Sequence, residues 1–136
     1  MTPFEMAKLH LLSGSLTRPW SESEYKILLS TDTIRFFYVE NGFLVGRLIG
    51  PDAEILNVIV HPKYRRLGKA RYLIDKFEKE AKEEGSSKCF LEVAESNSRA
   101  NKLYQSLNYL SVGKRKNYYE FVDGRKDNAL ILAKEI

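Results

Sequence analysis

The feature of this sequence that most constrains its fold is a strand pattern joined to an amphipathic helix by a basic glycine loop. Residues 54–60 are strongly apolar and predict a strand. The loop Arg65-Arg66-Leu67-Gly68-Lys69-Ala70 follows within a few residues. Apolar residues then recur at helical spacing from Ala70 to about Lys82, and Gly85 is a helix stop signal. The sequence therefore predicts a strand, a basic turn and a helix in close succession.

This basic loop is suited to hold a phosphate group. The first N–H groups of a helix lack intrahelical acceptors and carry partial positive charge, so anions bind there readily. Gly68 allows a ligand to approach the backbone closely, and Arg65, Arg66 and Lys69 add full positive charges. A solvated basic turn is the alternative interpretation, because short motifs often match by chance.

The elements around this unit predict one sheet covered by helices. Pro3 favours the start of a first helix, and Ser21 with Glu24 forms a capping box for a second. Asn41-Gly42 predicts a hairpin. The remaining patterns predict strands over residues 34–39, 43–49, 89–94, 110–119 and 129–133, and a helix capped by Ser96 or Asn97. The order ααβββαβαββ indicates an α/β or α+β protein with a mixed, mainly antiparallel sheet.

Length and composition limit the classes of function. The 136 residues suffice for one domain spanning residues 1–136. A single cysteine, Cys89, excludes an internal disulfide and favours a reduced, cytoplasmic setting, with no membrane segment expected. The net charge of +4 suits a small anion. The basic residues cluster at 63–71 and at 114–116, and neither cluster lies in a known nucleic-acid motif, so a nucleic-acid partner is not expected. His10 and His61 are too few and too far apart to predict a metal site.

Two long stretches resemble a known family. Residues 57–70 resemble the acetyl-CoA motif of the GNAT N-acetyltransferase superfamily, a strand followed by Gln/Arg-x-x-Gly-x-Gly/Ala and a helix. A second motif of that superfamily is matched by Leu91-Glu92-Val93, Ser96-Asn97, Ala100, Leu103-Tyr104, Leu107 and Tyr109. The ribosomal-protein-alanine N-acetyltransferases, the RimI branch, are resembled by Pro19-Trp20-Ser21-Glu22, by Arg115-Lys116-Asn117-Tyr118-Tyr119 and by Asp123-Gly124-Arg125.

The resemblance implies a fold, a co-substrate and a reaction. It implies the GNAT fold, acetyl-CoA as co-substrate without a metal, and direct acetyl transfer to the α-amino group of a protein N-terminus, such as that of a ribosomal protein. The implied cofactor contacts are Val58, Ile59 and Val60 at the reacting carbonyl, Arg65, Arg66, Leu67, Gly68, Lys69 and Ala70 at the pyrophosphate, Asn97 at the pantetheine arm, and Tyr104 at the sulfur.

Glu92 is the candidate general base. It lies in the middle of an apolar strand that should be covered on both faces, where loss of solvent makes a carboxylate a better proton acceptor. The resemblance gives the matching glutamate this role. A charged side chain on a solvent-facing strand surface is the alternative.

Tyr104 is the candidate general acid. Its spacing places it on the apolar side of a helix with Ala100 and Leu107, which by itself indicates a core tyrosine with its hydroxyl at the rim. The resemblance implies that this hydroxyl protonates the departing thiolate.

Asn97 has two compatible roles, as a helix cap and as a cofactor contact. Cys89 is expected to be a small buried residue rather than a nucleophile.

Three alternatives to an N-terminal acetyltransferase remain open at this point. A related enzyme could acetylate a small amine, a polyamine or a lysine side chain. A non-catalytic acyl-CoA-binding protein is a second alternative, and a basic nucleic-acid-binding module is a third. Asn108 stands where the family usually has glycine, and it is expected to take the left-handed conformation that asparagine tolerates.

Overall fold

A computed structural model describes residues 1–136 and contains four helices around a six-stranded sheet. The elements, in chain order, are α1 (Pro3–Leu12), α2 (Glu22–Leu29), β1 (Ile34–Val39), β2 (Gly42–Ile49), β3 (Asp52–Val60), α3 (Lys69–Glu83), β4 (Lys88–Ala94), α4 (Ser98–Ser106), β5 (Leu110–Glu120) and β6 (Lys126–Glu135). The predicted order ααβββαβαββ is therefore confirmed. None of the helices is both long and apolar enough to span a bilayer.

The strands lie in the order β1-β2-β3-β4-β6-β5, and only the β3–β4 pair is parallel. That parallel pair needs a crossover, which α3 provides. The expected mixed, mainly antiparallel sheet with flanking helices is confirmed.

Most local signals act where the sequence predicts. Ser21 and Glu24 form the reciprocal capping box of α2, and Asn108 takes a left-handed φ of 72°. The hairpin signal is shifted by one residue, because Glu40 and Asn41 form the turn and Gly42 is the first residue of β2. Asn41 alone supplies the positive φ of that turn, at 63°.

Two apolar clusters cover the two faces of the sheet. The cluster under α3 and α4 includes Leu44, Ile55, Phe77, Leu91 and Tyr104. The cluster under α1 and α2 includes Met6, Tyr25, Phe43, Val45 and Ile59. Alternate side chains of each strand point to opposite faces, so β4 sends Cys89, Leu91 and Val93 into the α3 side and turns Glu92 to the other.

A β-bulge changes the course of β3 halfway along its length. Val45 pairs with Asn57 and the next residue, Gly46, pairs with Ile55, so Leu56 is the extra residue. The pairing of β3 with β4 ends at Ile55 opposite Leu91, whereas β3 continues to Val60 and β4 to Ala94. The two parallel strands therefore separate, and residues 56–60 face residues 92–94 across what is called here the gap.

Glu78 is an acidic residue of α3 that does not lie on the solvated face of the helix. It is only 9% exposed. Its carboxylate accepts the Tyr109 hydroxyl at 2.7 Å and pairs with the Lys134 ammonium at 2.8 Å. Tyr109 and Lys134 come from outside the helix, so helical spacing alone could not reveal them.

Candidate active site

The phosphate loop, residues 65–70, presents a row of free backbone donors. The N–H groups of residues 65 to 71 donate no hydrogen bond to another residue, and α3 has no side-chain N-cap bond. Gly68 and Arg66 both have left-handed backbone, with φ values of 77° and 64°. Left-handed residues within a turn direct successive N–H groups into one concavity, which is the geometry of an anion-binding nest. A Cβ at Gly68 would meet nothing within 4 Å, so open space lies beside this backbone.

The three cations of the loop behave differently. Lys69 Nζ donates to the Glu40 carbonyl at 2.9 Å, and Arg65 donates to two carbonyls. The Arg66 side chain is exposed and makes no hydrogen bond. Arg65 and Lys69 therefore fasten the loop to the rest of the fold, and Arg66 has its full charge available for a ligand.

Arg99 is a cation near the loop that sequence reasoning missed. It lies in the first turn of α4. The pKa of Arg65 is lowered mainly by the partial burial of Arg65 itself and also by the nearby charge of Arg99. Two cations so close together favour an anion between them. No motif pointed to Arg99, because it reaches the loop through the packing of α4 and not through sequence neighbours.

Asn97 caps α4, as expected. Its Oδ1 accepts the Ala100 N–H at 3.2 Å. It lies three residues beyond Ala94, the end of β4, and therefore at the mouth of the gap. The capping role is observed, and its Nδ2 group makes no hydrogen bond to another residue and is available to a ligand.

Glu92 differs in part from its predicted environment. Its side chain is 26% exposed and its Oε1 lies 3.1 Å from Nε of Arg115, whose side chain is 55% exposed. The expectation that both faces of β4 are covered at this position is therefore wrong, because the gap leaves the α1 side of β4 partly open. The carboxylate lies beside a cation at the edge of the gap.

Tyr104 lies on the α3 side of the sheet, the face opposite to the one that carries Glu92. It is 9% exposed and packs edge-on against Tyr109 with ring centroids 5.8 Å apart. Its hydroxyl makes no hydrogen bond to another residue and is therefore available to a ligand. Burial raises the pKa of Tyr104 to about 12, which keeps the phenol protonated and able to donate.

Tyr119 belongs to the Arg115-to-Tyr119 stretch whose RimI resemblance implies a role in shaping the peptide-binding groove. Burial raises its pKa, and the nearby charge of Glu92 raises it further, with smaller contributions from Tyr118 and Tyr104. Tyr119 therefore lies within electrostatic range of both candidate catalytic residues. A bulge places it there: Arg115 pairs with Ala129 and Tyr119 with Asp127, so four steps along β5 match two along β6.

The remaining chemistry-bearing residues do not join this site as reactive groups. Cys89 is fully buried, and burial raises the pKa of its thiol to about 12, which makes it a poor nucleophile. His10 is buried under α2, and His61 caps the short 3₁₀ turn at Pro62–Tyr64. No group of three or more His, Cys, Asp or Glu side chains is arranged to hold a metal ion.

The geometry defines a class of site: a backbone turn suited to bind an anion lies beside a gap between two diverging strands. Comparison with known proteins agrees. Residues 7–109 match the acetyltransferase (GNAT) family. The chain therefore belongs to the GNAT family, and it is an acetyl-CoA-dependent N-acetyltransferase.

Curated relatives narrow the resemblance further. The [ribosomal protein bS18]-alanine N-acetyltransferase of Escherichia coli K12 is 32% identical over 131 residues, which cover 93% of this chain and 88% of that protein. The enzyme of the same name from Haemophilus influenzae is 32% identical over 119 residues, 85% of this chain and 81% of that one. A putative Bacillus subtilis enzyme of this type is 32% identical over 79% of this chain and 75% of its own length.

Solved structures share the fold. The ribosomal-protein-S18-alanine N-acetyltransferase of Escherichia coli superposes with a TM-score of 0.84 at 27% identity, covering 96% of this chain and 84% of that one. An Arabidopsis thaliana NAA60 structure in complex with acetyl-CoA superposes with a TM-score of 0.84 at 16% identity, covering 100% of this chain and 96% of that one. At that identity the second likeness concerns the fold alone.

Proposed function

We propose that this enzyme acetylates the α-amino group of a protein N-terminus, with Glu92 as general base and Tyr104 as general acid. The observation that supports the proposal is that Glu92 and Tyr104 lie on opposite faces of the sheet, with Tyr119 within electrostatic range of both. The relatives named for acetylating the alanine of ribosomal protein bS18 support a protein N-terminus as the acceptor.

The donor is held by the backbone of the phosphate loop. The free N–H groups of residues 65 to 71 and the exposed Arg66 take the pyrophosphate, while Arg65 and Lys69 hold the loop in place. The pantetheine arm then follows the gap, where Asn97 and those backbone groups of residues 56–60 that point away from β2 are the available hydrogen-bonding groups. A β3 edge without a partner strand offers main-chain groups that a ligand can pair with.

The acceptor reaches the gap from the α1 side. An α-ammonium group has a pKa near 7.7–8.0, so it loses its proton easily near neutral pH. Glu92 accepts that proton, directly or through a water molecule. Arg115 orients the Glu92 carboxylate by its ion pair, and the adjacent Tyr118 ring stacks under the Arg115 guanidinium at 5.3 Å.

The neutral amine then attacks the thioester and takes over the acetyl group. The amine nitrogen forms a bond to the acetyl carbonyl carbon, and the carbonyl oxygen becomes negative. N–H groups of Val58, Ile59 or Val60 that face the gap stabilise this oxyanion. The carbonyl re-forms and the C–S bond breaks, while the Tyr104 hydroxyl donates its proton to the departing sulfur. The raised pKa of Tyr104 keeps that proton in place until the thiolate develops. The attacking nitrogen, which still carries one proton more than the amide product, releases that proton to water, and the Tyr104 phenolate regains a proton from water.

An acceptor screen tests the proposal. Release of the coenzyme A thiol would be measured with a peptide copying the N-terminus of the cognate bS18, with the same peptide blocked at its α-amine but carrying a lysine, and with spermidine. We expect turnover on the free α-amine alone. Faster turnover on the blocked peptide or on spermidine would show that the acceptor is a side chain or a small amine.

A further inference from the structure

The Arg65 guanidinium joins two parts of the molecule that lie far apart in sequence. Its Nη2 donates to the Ser13 carbonyl at 2.7 Å, and its Nε donates to the Val60 carbonyl at 3.1 Å. Val60 ends β3 at the gap, and Ser13 is the C-cap of α1. A cation at the C-terminus of a helix is favoured by the helix dipole, so Arg65 is well suited to hold this end of α1.

Ser13 begins the connection between α1 and α2, called here the 13–21 loop. Ser13 is buried, and its hydroxyl and backbone N–H both donate to the His10 carbonyl. Further along the loop, the Leu16 carbonyl accepts the Val122 N–H at 3.0 Å. Val122 lies in the turn between β5 and β6, immediately after the strand that carries Arg115 and Tyr119. The 13–21 loop and this turn therefore meet on the Glu92 side of the sheet.

The meeting point is apolar and open. Leu16 is 46% exposed and Val122 is 73% exposed, although the backbone hydrogen bond holds them together. Arg65 binds the Ser13 end of the 13–21 loop. At the other end, the Trp20 backbone N–H donates to His10 and the Trp20 ring packs on Tyr25.

We propose that Arg65 is a positioning residue that couples the donor site to the acceptor side of the enzyme. Before the donor binds, the N–H groups of the phosphate loop have no partner within the protein, and the side chains of Arg65 and Lys69 are its links to the rest of the fold. A pyrophosphate bound to those groups fixes the backbone of Arg65. The guanidinium in turn fixes Ser13 and with it the 13–21 loop. The inference that this loop borders the acceptor rests on the proposed function, but the coupling itself does not.

Hydrogen–deuterium exchange tests the coupling with coenzyme A alone, without an acceptor. In the wild-type protein, saturating coenzyme A should slow exchange in residues 65–71 and also in residues 13–21, the latter by about 5-fold or more, the lower end of ordinary coupling between two sites. In Arg65→Ala, saturating coenzyme A should still protect residues 65–71 and should leave residues 13–21 unchanged.

Two matched variants keep the result interpretable. Arg66→Gln removes a neighbouring charge that makes no hydrogen bond or ion pair with another residue, so it should weaken coenzyme A binding yet retain protection of residues 13–21 at saturation. Arg65→Lys keeps the charge and can reach one carbonyl, so partial protection is expected even if Arg65→Ala fails to fold. Equal protection of residues 13–21 in wild type and in the Arg65 variants would overturn the proposal, as would its absence in the wild type.

The same experiment separates this inference from the proposed function. Coenzyme A-dependent protection that requires Arg65, in a protein that does not acetylate peptide N-termini, would support the coupling and reject the acceptor. Acetylation of peptide N-termini, together with wild-type protection of residues 13–21 in the Arg65 variants, would support the acceptor and reject the coupling.

Discussion

Glu92 and Arg115 form an ion pair at the edge of the gap, with 3.1 Å between Oε1 and Nε. More than half of the Arg115 side chain is exposed, and ion pairs of this kind contribute about 0–1 kcal/mol to stability. The pair therefore orients a carboxylate without the fold depending on it. This makes Glu92 a position where activity and stability can be separated by substitution.

Replacing Glu92 by Gln should lower kcat by about 10² or more, the usual contribution of a general base. Gln keeps the shape and a hydrogen-bond acceptor for Arg115 but does not take up a proton near neutral pH. The Km for acetyl-CoA and the melting temperature should change little. Steady-state kinetics with the acceptor at saturation checks this, and a kcat within 10-fold of wild type would exclude Glu92 as the base.

Replacing Tyr104 by Phe should also lower kcat by about 10² without loss of stability. The hydroxyl bonds to no other residue, and the ring packing against Tyr109 is retained in the variant. The kcat of Tyr104→Phe should recover when the acetyl donor is a thioester of a more acidic thiol, because such a thiolate departs without a proton. Glu92→Gln should show no such recovery, and equal behaviour of the two variants would argue against separate base and acid roles.

Sequence reasoning identified the donor side of this site more fully than the acceptor side, and the difference has a physical cause. The phosphate loop is local: Gly68, the charges and the helix start are neighbours in the chain, so their pattern is visible. The environment of Glu92 depends on the Leu56 bulge, the divergence of β3 from β4 and the reach of Arg115 across β6. Those are tertiary facts, and an alternating strand pattern carries no sign of them.

The packing around Gly46 is another tertiary contact that the sequence pattern does not reveal, and it leads to a prediction about stability. A Cβ at this position would overlap the Phe77 ring, and Phe77 is fully buried in the α3 side of the core. Gly46→Ala should therefore lower the free energy of unfolding by about 1–3 kcal/mol, the usual effect of overpacking.

Gly113 is the matched control for that substitution. A Cβ there would make an ordinary contact with Ile131 at 3.4 Å, so Gly113→Ala should be neutral or slightly stabilising. Urea unfolding of both variants measures the difference. If Gly46→Ala proves no less stable than Gly113→Ala, then β2 and α3 are not packed as closely as the structure has them.

His10 predicts how stability depends on pH. Its Nδ1 accepts the backbone N–H of Trp20 at 3.0 Å and contacts the Tyr25 hydroxyl at 2.8 Å. Because Nδ1 accepts a hydrogen bond, it carries no proton and the ring is neutral. Burial lowers the pKa of His10 from 6.5 to about 4; the Glu24 charge opposes this shift and the Arg18 charge adds to it. Between these two values the unfolded chain binds a proton that the folded protein does not, so the free energy of unfolding rises with pH through this window.

The shift of His10 from 6.5 to about 4 corresponds to about 3 kcal/mol of stability, present above pH 6.5 and lost progressively towards pH 4. His10→Asn keeps an acceptor near the Nδ1 position and does not titrate, so its stability should vary much less between pH 6.5 and 4.5. Most carboxylates titrate below that window. Chemical denaturation at pH 7, 5.5 and 4.5 would compare the two proteins. Parallel curves would mean that His10 becomes protonated without disturbing Trp20, and that the end of α1 is not held by this hydrogen bond.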